Sequence, residues 1–368
     1  MLKHKILFIH HITNTPYKHC YYNLLANHFE IHVIQLSGYS KFTQWEHLEN
    51  KRYSEYIIYH GEISLRKKAK GLLRINKLVK KINPEAIISH GYHLIEFILI
   101  PLLFRKKITL CEIATTYVDK KRHFIKEKIK AIFLDGIFNY FLVYGKSSKK
   151  YLTNNLGINE NNVFIRGNFS HLQFEKYVMP EFLSRAKRLL YIGRFSEEKN
   201  ILTLINAFID YLKVKSSNYK LILVGDGPLK QRFIDFVKDS GFKDNIEFKN
   251  HQNPDTLIAY YLNSRVFVLP SFSEPWGQVI NEAIHFGLPI IISEKCGSVE
   301  DLCNEDNSKI FNPHKQQELT DIFVDLLEDE ESLTKMSTAS LKKIQDNSST
   351  DLIKKQVDFF NKILGTKT

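Results

Sequence analysis

Val266 to Asp301 reads VFVLPSFSEPWGQVINEAIHFGLPIIISEKCGSVED, and its punctuation decides the fold. An apolar run, Val266 to Leu269, stops at Pro270. A polar turn follows, then an amphipathic stretch from about Trp276 to Phe286, closed by Gly287 and Pro289 before a second apolar run, Ile290 to Ile292. That pattern is strand, helix, strand, and in an open parallel sheet such a unit presents its strand-to-helix loop at the carboxyl edge, where ligands bind. Two carboxylates flank the loop: Glu274 ahead of the helix and Glu282 eight positions on, inside it. A carboxylate offers about four acceptor sites and can grip a vicinal diol. Glu274 is therefore expected to reach hydroxyls of a group resting on the amides of Trp276, Gly277 and Gln278, with Glu282 aimed at a second part of the same ligand. Taken alone, Glu282 reads as a solvated helix residue; the Pro-Trp-Gly turn between two buried strands changes that reading.

Two further strand-and-turn units lie upstream. In LLYIGRFSEEKN, Leu189 to Asn200, Arg194 follows a strand directly and Lys199 stands five positions later. A guanidinium fork and a compact ammonium at a strand's carboxyl end make a site for a diphosphate. On charge alone the default is ion pairing of these cations with Glu197 or Glu198, worth ~0 to 1 kcal/mol when exposed. In LILVGDGPL, Leu221 to Leu229, Gly225, Asp226 and Gly227 follow a strand; a single G-x-G serves any turn with unusual dihedrals.

Together, strand-G-R-F-x-x-x-K, strand-G-x-G-P and, last along the chain, SEPWGQVINEAIHFGLPII (an E-x7-E pattern) resemble, in this order, the retaining glycosyltransferases of family 4. The resemblance extends over about Leu189 to Pro313 and is weaker before Arg188. It implies an α/β chain of the GT-B fold, two Rossmann-like, doubly wound parallel-sheet domains facing across a cleft, with a nucleotide-sugar as donor. It further implies that Arg194 and Lys199 neutralise the leaving nucleoside diphosphate, Glu274 holds sugar hydroxyls, and Glu282 holds the ribose diol. By the same resemblance Gly225 lies beside the nucleotide, and Asn250 and His251, in IEFKNHQNPDTLIAYY, are candidates for contact with the base.

A chain of 368 residues, 43% hydrophobic, suffices for two cores. The domains are expected at 1–180, for the acceptor, and 181–349, for the nucleotide-sugar, with a helix over 350–368 crossing back to the first. The aperiodic stretch Asn168 to Ala186, containing Pro180, is the crossover between them. Four cysteines without a C-x-x-C pair argue against a zinc site or a disulfide framework and fit a reducing cytosol. The amino-terminal MLKHKILFIHHI reads as a buried first strand rather than a signal segment. Leu94 to Phe104, LIEFILIPLLF, is far short of the ~20 residues of a spanning helix and reads as a buried helix.

Charge is uneven: Met1 to Pro180 hold 28 lysines and arginines against 13 acids, although the whole chain is only +12. The excess gathers in Arg66 to Lys81, Arg105 to Lys107 and Lys120 to Lys130. The first of these interleaves Leu72, Leu73, Ile75, Leu78 and Val79 with lysines, as a basic amphipathic helix on an anionic membrane does. A solvated helix face is the plainer reading. No aromatic reading motif accompanies the charge, which argues against nucleic acid.

In the first half Ile6 to His10, Ile31 to Gln35, Ala86 to Ser89, Ile108 to Cys111, Tyr140 to Tyr144 and Val163 to Arg166 read as strands alternating with helices, the pattern of a doubly wound sheet. The loop after the first strand departs from the family: HHITNTPYK stands where paired glycines are common, leaving the roles of His10, His11 and Asn14 open. The region ITLCEIATTY offers Glu112, Thr115 and Thr116 where the family often has a donor-contacting histidine. His90 and His93, in SHGYH, join His11 and Asn14 as acceptor-side candidates. No D-x-D occurs, so no metal and no cofactor are expected and fixed cations are expected to hold the diphosphate.

The resulting expectation is a cytoplasmic glycosyltransferase, peripheral at the inner face of the membrane, extending a bacterial surface glycan on a lipid-linked acceptor. The bacterial part rests on family habit and on Lys, Ile and Asn richness. A catalytically silent nucleotide-sugar or glycan-binding subunit and a nucleotide-sugar epimerase are the alternatives.

Overall fold

A computed structural model describes residues 3–12, 15–37, 50–59, 65–114, 124–168, 170, 177–345 and 348–365. Packing divides the chain into two units, one of Met1–His171 with Ser349–Thr368, the other of Leu172–Ser348.

The first unit is a seven-stranded parallel sheet ordered β3-β2-β1-β4-β5-β6-β7. Its strands are β1 (Lys5–Ile12), β2 (Glu30–Ser37), β3 (Ser54–Tyr59), β4 (Ala86–His90), β5 (Ile108–Ile113), β6 (Tyr140–Val143) and β7 (Val163–Ile165). The strands are apolar on both sides because helices cover both faces. Ile6, Phe8, Ile88, Leu110 and Leu142 meet α1 (Pro16–Leu25) and the last helix, α13 (Ser349–Leu364), through Tyr22, Leu25, Ile353 and Phe360. On the other face Leu7, Ile9, Ile34 and Ile87 pack against α2 (Leu65–Ile82) and α3 (Ile95–Leu103), and Cys111, Ile113, Phe141 and Val143 against α4 (Phe124–Asp135).

The second unit is a six-stranded parallel sheet ordered β10-β9-β8-β11-β12-β13. It comprises β8 (Arg188–Ile192), β9 (Lys220–Val224), β10 (Ile246–Lys249), β11 (Val266–Leu269), β12 (Ile290–Ser293) and β13 (Ser308–Phe311), with α6 (Ile201–Val214) and α9 (Gln278–His285) among its helices. The stretch quoted first is β11, α9 and β12. Its helix starts later than the pattern suggests because Gly277 has φ +83°, outside helical space. It ends in a left-handed cap at Gly287 (φ +65°), whose N–H donates to Ile284 O while Leu288 N–H donates to Ala283 O.

The structure adds two strands to those expected and corrects the burial of one helix. Strand β3 was not anticipated, and neither was β13; both lie at sheet edges, where solvent-facing residues dilute the pattern. Helix α3 is only half buried: Phe97 and Ile100 are enclosed, but Ile95, Leu102 and Leu103 face solvent. Asn14, Thr115 and Thr116 lie outside the described residues.

The loops after β8 and β9 are locked together. Phe195 N–H donates to Asp226 O, and Leu229 N–H to Phe195 O. A Cβ on Gly225 would fall 1.9 Å from Gly193 O, so this glycine answers to backbone proximity as well as to dihedrals. Gly225→Ala should therefore lower the urea midpoint by the equivalent of ~2 to 4 kcal/mol. Gly241→Ala, whose Cβ meets nothing within 4 Å, should cost only the left-handed penalty of about 1 kcal/mol.

Candidate active site

In an open parallel sheet, ligands bind where neighbouring connections leave in opposite directions. In the second unit that point lies between β8 and β11. Arg194 follows β8, and Lys199 closes a short turn, Glu197–Lys199, leading into α6. Asn200 ties this turn to the end of β11: in the left-handed conformation (φ +54°), its Nδ2 donates to the carbonyls of Pro270 and Pro313, both at 3.0 Å. Phe272 N–H adds a bond to Glu198 O at 2.9 Å. The outcome is an ion pair between Lys199 Nζ and Glu274 Oε2, both largely buried. Local pairing is not what Lys199 uses: Glu198 accepts from Ser196 Oγ at 2.6 Å, and Glu197 stands 3.9 Å from Arg232.

Glu274 is fixed by its backbone as well, its N–H donating to Lys295 O and its carbonyl accepting from Gly297. Trp276 is buried and its indole donates to Asn281 Oδ1 at 2.7 Å, stapling the turn to α9, whose first residue is Gln278. Glu282 is not a solvated residue. It is 3% exposed, accepts a 2.7 Å bond from Tyr261 Oη, and burial pushes its carboxyl up to about 7. Asn250 follows β10, where its Oδ1 accepts from Lys230 Nζ, and His251 is exposed beside it.

In the first unit the corresponding point lies between β1 and β4. There His10, at the end of β1, faces His90, at the end of β4, with ring centroids 4.8 Å apart. Glu112 on β5 completes a buried network: its Oε1 accepts from Arg166 Nη2 at 2.5 Å and from Tyr144 Oη at 2.9 Å, and its Oε2 stands 3.1 Å from His90 Nδ1. Burial works against this charge, but Arg166 outweighs it and holds the carboxyl well below the usual range. Lys18 Nζ donates to His10 Nδ1 at 2.9 Å, and Tyr22 Oη bonds His10 Nε2. Burial and the neighbouring cations hold His10 well below its usual value, and burial pulls Lys18 down to about 8. His10, His90 and Glu112 offer ligand atoms within 4.8 Å of one another. Both His10 nitrogens and Glu112 Oε1 already have hydrogen-bond partners, Oε2 lies at ion-pair distance from His90, and two fixed cations adjoin, so the donor set reads as a polar network rather than a cation cage. His93 is exposed against Phe97, and His11 meets it edge-on at 6.5 Å.

Residues 179–343 match the family model of glycosyl transferases group 1. The second unit carries the match. An uncharacterized glycosyltransferase of Methanocaldococcus jannaschii, MJ1607, is 33% identical over 121 residues, 33% of this chain and 30% of that relative. The amylovoran biosynthesis glycosyltransferase AmsD of Erwinia amylovora is 27% identical over 258 residues, 67% of this chain and 70% of that relative. The crystal structure of Anabaena Alr3699/HepE in complex with UDP superposes with a TM-score of 0.77 at 14% identity, covering 97% of this chain and 100% of the other. The fold is GT-B.

Within that fold, sequence reasoning missed Tyr261 as the partner of Glu282, and Lys18 and Arg166 as the cations of the first unit's network. A lysine in the otherwise aromatic and apolar face of α1 and an arginine closing a strand were the available signals.

A carboxyl raised by burial destabilises the folded state when ionised. Its folded value of about 7 lies above its unfolded one, so the penalty is absent below the unfolded value and complete above 7. Glu282→Gln, which keeps an acceptor for Tyr261, should raise thermal stability at alkaline pH by on the order of 3 kcal/mol. The gain should vanish as pH falls to the ordinary carboxylate range, as thermal melts across pH would show.

Proposed function

We propose that this chain is a retaining, metal-independent glycosyltransferase that moves a sugar from a UDP- or GDP-sugar to a glycan or lipid-linked acceptor in bacterial surface polysaccharide synthesis. The observation that carries the reading is the Lys199–Glu274 ion pair at the strand switch of the unit that matches glycosyl transferases group 1. The UDP bound by Anabaena Alr3699/HepE and the biosynthetic role named for the Erwinia relative support the donor and acceptor classes.

In this reading Arg194 and Lys199 receive the charge that develops on the diphosphate as the bond from the anomeric carbon to the phosphate oxygen breaks. Preorganised cations act there without reorganising. Glu274 both orients Lys199 and holds sugar hydroxyls, while the amides at the start of α9 complete the cradle. Glu282 and Tyr261 receive the ribose. The acceptor oxygen bonds to the anomeric carbon on the face the phosphate leaves, and its proton passes to the departing phosphate oxygen, so configuration is retained.

Incubation with UDP- and GDP-sugars and a membrane lipid extract in EDTA should release one nucleoside diphosphate and leave an α-linked product from an α-linked donor. Lys199→Ala and Glu274→Ala should each lower kcat by about 10² to 10³, the scale of one lost electrostatic contact. Binding of donor without any release would favour a silent subunit, and an inverted product would refute retention.

A further inference from the structure

The basic helix α2 is placed differently from what its sequence suggests. Ile75, Val79 and Ile82 are buried against the sheet and Leu72 and Leu78 are half covered, so of the interleaved apolar residues only Leu73 stands out in solvent. The apolar stripe of α2 is spent on the core. It has cations to offer a membrane, Lys70, Arg74, Lys77, Lys80 and Lys81 being exposed, but little to insert.

The apolar surface lies next door. Helices α2, α3 and α4 cover one face of the first sheet, since Leu7, Ile87, Cys111 and Phe141 belong to the clusters they pack on and the register runs Leu7 to Ile87 and Cys111 to Phe141. Helix α3 contacts both neighbours' clusters, Ile100 lying in that of α2 and Ile98 against that of α4. On α4, Ile129, Ile132 and Phe133 are 64%, 76% and 47% exposed, spaced i, i+3, i+4 and hence on one stripe. On α3, Ile95, Leu102 and Leu103 are 57%, 40% and 60% exposed at i, i+7, i+8. Six large side chains on two neighbouring helices exceed the scattered apolar exposure of ordinary surfaces. Around them the exposed charges are Arg105, Lys106 and Lys128 and the α2 cations, with Asp135 as the exposed acid on these helices.

We propose that this face, the outer side of α3 and α4 flanked by the cations of α2, docks on an anionic lipid bilayer. The apolar side chains enter the headgroup boundary, and the cations hold phosphate headgroups by electrostatic attraction, two signals that add as membrane anchoring requires. Charge selects this occupant. A second copy meeting the same face by two-fold symmetry would set these cations against themselves, whereas an anionic leaflet complements them. The proposal is independent of the donor chemistry in the second unit, and no helix among the described residues is long and apolar enough to cross a membrane.

The test is co-sedimentation of the full chain with phosphatidylglycerol–phosphatidylcholine vesicles, and with phosphatidylcholine alone, at about 0.1 M and about 1 M salt, where screening shortens from ~10 to ~3 Å. The variants are Ile129→Ser/Ile132→Ser/Phe133→Ser and Lys77→Gln/Lys80→Gln/Lys81→Gln, with Ile132→Ser alone as reserve should the first triple lose its melting transition. Wild type should bind the anionic vesicles and retain part of that binding in high salt. The serine triple should lose the salt-resistant part, about tenfold or more in partitioning, and the glutamine triple chiefly the salt-sensitive part. The proposal is overturned if wild type ignores anionic vesicles, if the serine variant binds as wild type does, or if light scattering shows a vesicle-free dimer that the serine triple abolishes.

Discussion

A parallel sheet with helices on both faces can accept ionised groups only at the ends of its strands, because every other strand position faces a core. The constraint governs both units. In each, the strand order reverses beside the first strand of the sheet, between β1 and β4 and between β8 and β11, and the chemistry-bearing side chains collect at those two points. The Lys199–Glu274 pair stands at one and the His10–His90–Glu112–Arg166 network at the other.

What differs is how each end manages its charge. Glu282 has a tyrosine for company and burial drives its carboxyl up to about 7, whereas Glu112 has Arg166 and Tyr144 and is held low although equally enclosed. Desolvation acts on both; only an opposing charge reverses it. An unbalanced buried carboxylate costs stability, and its presence ahead of α9's end is intelligible if a ligand's hydroxyls repay that cost on binding. The first unit's network is balanced within itself, which suits a role in fixing the end of the sheet and presenting His90, the member of the network with the most exposed side chain.

The second unit was legible because three short motifs each combine a strand, a turn and a charged residue within a dozen positions. Gly277, Gly225 and Lys199 then fall where local sequence puts them. The first unit's network was not legible, since Glu112 and Arg166 stand 54 positions apart and meet only through sheet register. Apolar content misled in two opposite ways. In α2 it signalled a membrane face and turned out to be core, and in Leu94 to Phe104 it signalled core and left Ile95, Leu102 and Leu103 outside. Hydrophobicity counts a helix's apolar residues but does not say which neighbour receives them.

As proposed above, fixed side chains and helix amides of the second unit form a nucleoside diphosphate site without a metal. Calorimetric titration of UDP and of GDP into the purified chain in EDTA tests it most directly. Saturable binding of one of them at a single site is expected, unchanged by adding magnesium and weakened when Lys199 is replaced by alanine. Binding that appears only with magnesium, or no binding of either nucleotide under both conditions, would contradict it.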